Sequence, residues 1–155
     1  MAQVIENVEA SLLNFCKRFA EAVNIQHPDW NFKQVSFDSY ATEGELPLQD
    51  LVGLNHVMVE LDEHQLIVEC LFGVSTYEDE NGFRMKAAAS HLFEELKPTR
   101  TLPYLDATTG GILGFFSIKN GTRMMPVGGD QRFVRFFIVQ LGLQGVVDLR
   151  QRGLL

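Results

Sequence analysis

Residues Arg132 to Leu143, RFVRFFIVQLGL, are apolar on both sides of an extended chain. Side chains alternate along a strand, so Val134, Phe136 and Ile138 fall on one face and Phe133, Phe137, Val139 and Leu141 on the other. Such a strand belongs in a layered structure that covers both its faces. The run Gln65 to Thr76, QLIVECLFGVST, has the same character, with Leu66, Val68, Cys70 and Phe72 opposite Ile67 and Leu71. A fold for this chain must therefore supply two covers for one sheet.

Two amphipathic helices supply one cover. Val4, Val8, Leu12, Phe15, Phe19, Ala22 and Val23 recur at steps of three and four and form one stripe, which should end before His27-Pro28 because a residue preceding proline is pushed out of helical geometry. Met85, Ala88, Ala89, Leu92 and Leu96 form a second stripe, preceded by acidic Glu78-Asp79-Glu80 and stopped by Pro98. Both helices are expected on one face of the sheet. The other face is left to a folded-over hairpin or to another subunit, since exposed apolar patches of that size mark interaction sites.

The remaining elements complete the expected fold. A strand is expected around Phe32 to Tyr40, and Asp38 to Gly53 reads as a long connection. Leu54 to Leu61 alternates Val57, Val59 and Leu61 against His56, Met58 and Glu60, and the short Asp62-Glu63-His64 link makes an antiparallel hairpin with Gln65 to Thr76. No period is visible from Pro98 to Gly111, and Gly145 to Leu155 is unassigned. Asn120-Gly121 suits a type I′ turn, which would pair Ile112 to Ile118 with Arg123 to Val127, and Gly128-Gly129-Asp130 makes a second turn into the final strand. The expected class is α+β: a mixed, mainly antiparallel sheet, two long helices on one face and a C-terminal three-stranded meander.

At 155 residues and 46% hydrophobic content, the chain suits one domain over residues 1–155. It has neither a secretory start nor an apolar run long enough to span a membrane, which points to a cytoplasm. The net charge of -7 argues against broad attraction to nucleic acid. Its distribution is uneven: Met1 to Thr99 has 6 Lys/Arg against 17 Asp/Glu, or -11, and Arg100 to Leu155 has 7 against 3, or +4. Acidic and basic surfaces are therefore expected in different places.

No constellation for catalysis or metal binding emerges. His27, His56, His64 and His91 form no ligand pair at helical or strand spacing, and Cys16 and Cys70 are read as core residues. Gly110-Gly111-Ile112-Leu113-Gly114 lacks the Lys-Ser/Thr pair and following helix of a phosphate loop. Ser36, Ser39, Ser90 and Ser117 lack a nucleophile's setting. Neither enzyme activity nor a cofactor is expected. An alternative is a small-molecule-binding α+β domain with a pocket around Trp30, Phe32 and Tyr40.

The order of elements resembles the tail terminator proteins of long-tailed bacteriophages, the lambda-type minor tail proteins. The likeness runs from Val4 to Leu143: a leading amphipathic helix, the strands LNHVMVEL and HQLIVECLFGVST, the helix GFRMKAAASHLFEELKP and the late strand RFVRFFIVQLGL. It implies a structural protein of a phage or prophage that forms a homo-oligomeric ring, typically six-fold. Such a ring caps the tail tube, stops its polymerisation and prepares head joining. The implied partners are tail-tube and neck proteins, with no membrane and no nucleic acid sequence recognition, in the host cytoplasm and then the virion tail. Another neck or tail-completion component is a second possibility. From the residues themselves, Arg123, Arg132, Phe133, Phe137 and Val139 are expected at a subunit interface, and Lys119, Asn120 and Gly121 at a hairpin tip.

Overall fold

A computed structural model describes residues 3–37, 46–119, 121–127 and 132–155, the Val127 side chain excepted. In chain order these form α1 (Val4–Gln26), β1 (Lys33–Ser36), β2 (Leu51–Leu61), β3 (Leu66–Tyr77), a 3-10 turn (Glu80–Gly82), α2 (Phe83–Glu95), β4 (Thr101–Leu105), β5 (Ile112–Ile118), β6 (Arg123–Val127), β7 (Arg132–Leu143) and α3 (Val146–Gln151). Helix α1 stops at the expected place, where His27 N–H makes a last bond to the Val23 carbonyl at 2.9 Å. The start of α2 is held by Asp79, whose carboxylate accepts the backbone N–H groups of Arg84 (3.0 Å) and Met85 (2.9 Å), donors that an unfinished first turn leaves without partners.

The strands form one sheet in the order β1-β2-β3-β7-β5-β4, with β6 also on β7. The β1–β2 pair is parallel and the others are antiparallel, so the fold is the expected α+β class with a mixed, mainly antiparallel sheet. Both long helices pack on one face. Leu66, Val68, Cys70, Phe72 and Val74 of β3 and Phe137, Val139 and Leu141 of β7 meet Val8, Leu12, Cys16 and Phe19 of α1 and Met85, Ala88 and Leu92 of α2. Fully burying side chains such as Phe72, Phe116 and Phe137 stabilises by about 1.5–3 kcal/mol each.

Strand β2 changes register between Leu54 and His56. Val52 and Leu54 reach the core before this irregularity, and Val57, Val59 and Leu61 pack against it afterwards. A uniform alternation would send one of these sets to the wrong face, so the extra residue keeps both inward.

Several boundaries differ from the sequence reading. The described part of the strand expected at Phe32 to Tyr40 is only Lys33–Ser36, and residues 38–45 lie outside the described residues. Strand β2 begins at Leu51, inside the expected connection, because Leu51 to Leu54 pair with both β1 and β3. The aperiodic stretch contains β4, whose Pro103 is tolerated because β4 is an edge strand. The unassigned tail contains α3, which adds Val146 and Leu149 to the core.

The pairing of the last three strands also needs correction. Strands β5 and β6 do not form a hairpin; they follow one another along the same edge of β7, β5 against Leu141 to Leu143 and β6 against Val134 to Ile138. Gly121 does not take the positive φ that a type I′ turn demands. The reason is length: the 12 residues of β7 offer one edge long enough for both strands. Asn120 and the expected turn at Gly128-Gly129-Asp130 lie outside the described residues.

Candidate functional site

With α1 and α2 on one face, no helix among the described residues lies over the opposite face of β2, β3, β7 and β6. Phe37 covers one end of it. A Cβ on Gly73 would come within 2.7 Å of the Phe37 ring, so glycine is required for this close approach. The same ring meets Phe136 edge-on at 6.0 Å, and Val35 and Leu51 complete a small second cluster. Beyond it the face stays apolar. Leu71, Phe136 and Ile138 are half-buried, while Met58 and Met125 are 58% and 42% exposed.

Cross-strand register places charge on the two flanks. On the β2–β3 side, Glu60 lies opposite Ile67, and Glu69 lies opposite Met58. On the other side, Arg123 lies opposite Ile138, and the Lys119 side chain lies over Gly142, where a Cβ would collide with its Cε. All four charged side chains are exposed, and none forms an ion pair with another described residue. The face therefore has an apolar centre, an acidic flank and a basic flank, an arrangement common at protein interfaces.

The residues expected at an interface divide between these surroundings. Phe137 and Val139 are fully buried beneath the helices, so they are not available to a partner; Val134, Phe136 and Ile138 occupy the opposite face. Phe133 lies at the margin, 36% exposed and beside Gly82. Arg132 is turned inward, donating to Ser75 Oγ at 2.8 Å and to the carbonyls of Gln49 and Pro47, above the Tyr77 ring. Burial lowers its pKa. Arg123, Lys119 and Gly121 are exposed, and only the first two bring charge to the open face.

No family model matches the chain, and no curated protein matches it in sequence. A solved structure shares its fold with a TM-score of 0.58 at 11% identity, over 90% of this chain and 95% of that one. That likeness concerns fold alone.

Three other clusters became visible only on folding. Asp50 and Asp79, both buried, flank Arg84: its Nε donates to Asp50 at 2.7 Å and one terminal nitrogen to the same carboxylate at 3.1 Å. The hydrogen bond to Asp50, opposed by burial and reinforced by both carboxylate charges, raises the Arg84 pKa. His27 and His91, on different elements, come to 3.5 Å between their Nε2 atoms, and Trp30 stacks on His27 at 3.6 Å. Their separation of 64 residues hides this pair from any spacing rule. Cys16 and Cys70 share the core, where burial pushes both thiols far above their ordinary range.

Among the described residues no group of three or more His, Cys, Asp or Glu is placed to hold a metal ion. A cleft of about 330 Å³ lies among α1, α2 and β4, lined by Phe15, Phe19, Leu102, Pro103, Arg18 and His91 among others. Neither Trp30 nor Phe32 lines it; Phe32 is in the core, and Tyr40 lies outside the described residues.

Proposed function

We propose that this protein is a structural subunit of a phage or prophage tail, similar to tail terminators that form a ring on the tail tube, stop its growth and prepare head joining. The observation that carries this reading is the apolar sheet face over which no helix lies among the described residues. Met58, Leu71, Phe136, Ile138 and Met125 make a continuous patch that a partner chain would cover. The order of elements from α1 to β7 supports the same reading. No catalytic role or cofactor belongs to it.

Ring closure would join two different surfaces of each subunit, so a separation of charge helps select the rotation. Of Arg123 and Arg132, only Arg123 is exposed for that purpose, since Arg132 holds its own chain together. The test is co-expression with a tail-tube protein, followed by sedimentation and electron microscopy. The expected result is a ring at one end of tubes of uniform length, with unlimited tubes when the subunit is omitted. Binding to the tube without control of length would favour a neck or tail-completion component. No binding to tube or neck proteins overturns the proposal.

A further inference from the structure

The face opposite the helices, as the described residues form it, carries opposite charges on its two flanks. Across it, one row runs from Glu60 through Ile67 and Gly142 to Ser117, with Lys119 lying over Gly142. The next contains Met58, Glu69 and Gln140, and the third runs from His56 through Leu71 and Ile138 to Arg123. Acidic Glu60 and Glu69 thus stand on the β2–β3 side, and basic Lys119 and Arg123 at the opposite flank of the apolar centre.

We infer that this face binds the same face of a second copy, about a two-fold axis that runs along the strands. Rotation about that axis exchanges the flanks. It carries Glu60 over the row that holds Lys119 of the second copy, and Glu69 between the rows of Lys119 and Arg123. A two-fold axis across the strands would instead set acidic flank on acidic flank and basic flank on basic flank, and like charges brought together oppose association. The selected axis also keeps the two sheets' strands nearly aligned, a common way for sheets to pack, at about 10 Å. Leu71 of each copy lies over Ile138 of the other, the reciprocal exchange that an isologous contact requires. Methionine adapts its shape to such a surface. The apolar centre supplies affinity, and the charged flanks set orientation.

This concerns the free protein in solution and does not depend on the tail reading, in which a tail partner would take the same face instead. The test is sedimentation equilibrium of the full chain across concentration, for the wild type, for Glu60→Lys/Glu69→Lys and for Lys119→Glu/Arg123→Glu, with circular dichroism to confirm folding. The wild type is expected to dimerise, and each reversed variant to self-associate about tenfold more weakly or worse. Mixing the two variants should restore a heterodimer, because one then has a wholly basic face and the other a wholly acidic one. Ile138→Asp should abolish dimerisation. A wild type monomeric at every concentration, reversed variants that dimerise as well as wild type, or a mixture without heterodimer overturns the two-fold contact. Rings that form on tubes from the reversed variants would preserve the tail reading while this contact fails.

Discussion

Arg84 shows how much depends on one residue. It neutralises Asp50, which also accepts the Tyr77 N–H at 3.0 Å, and stands within 3.8 Å of Asp79, which holds the start of α2. Removing the guanidinium leaves two buried carboxylates without their countercharge, and breaking a buried pair costs about 3–5 kcal/mol. Arg84 is itself partly exposed, so Arg84→Met is expected near the lower end, about 3 kcal/mol, measured by urea unfolding. Asp62 responds to pH. The N–H of His64, then that of Gln65, holds its carboxyl below the usual carboxylate range. Its contribution to the β2–β3 turn is therefore complete above the unfolded value of about 4 and disappears as pH falls through the lower folded value. Titration of the Asp62 carboxyl by NMR should show that midpoint, and Asp62→Asn should remove the acid dependence of the turn amides of His64 and Gln65.

At the scale of elements, pairing decides what a local signal becomes. Asn120-Gly121 is a strong hairpin signal, yet the long edge of β7 holds β5 and β6 in succession, with Lys119 N–H bonded to the Gln140 carbonyl at 2.8 Å and the Thr122 hydroxyl to the Leu96 carbonyl at 3.1 Å. Gly121 has open space around its missing Cβ and no positive φ. Gly121→Ala is accordingly expected to leave stability unchanged or raise it by about 0.4–1 kcal/mol, by restricting the unfolded chain. Thermal unfolding checks this. A loss above about 1 kcal/mol would mean that the residue needs left-handed backbone after all.

For the whole molecule, both long helices take one face of the sheet, and the proposed contact between copies uses the other. Apolar contact between copies is insensitive to salt, whereas charge between exposed flanks is screened over about 8 Å at physiological ionic strength. Wild-type self-association should thus weaken only modestly as salt rises, while the mixture of oppositely reversed variants, held by more charge, should weaken steeply. Sedimentation across a salt series measures both slopes, and equal slopes would remove charge from the mechanism.

Periodicity alone determined α1, α2, the β2–β3 hairpin and the two-sided β7, because each follows from local spacing of apolar side chains. Which face the helices would take was not legible: both faces of β7 are apolar, and only the packing of α1 and α2 put Phe137 and Val139 inside and Phe136 and Ile138 outside. Strand β4 escaped notice because five residues with a central proline give too short a period, and its place is set by pairing with β5. The inward turn of Arg132, the Asp50–Arg84 pair and the meeting of His27 with His91 link residues far apart in the chain. Such contacts are products of topology, which brings together side chains that no local spacing relates.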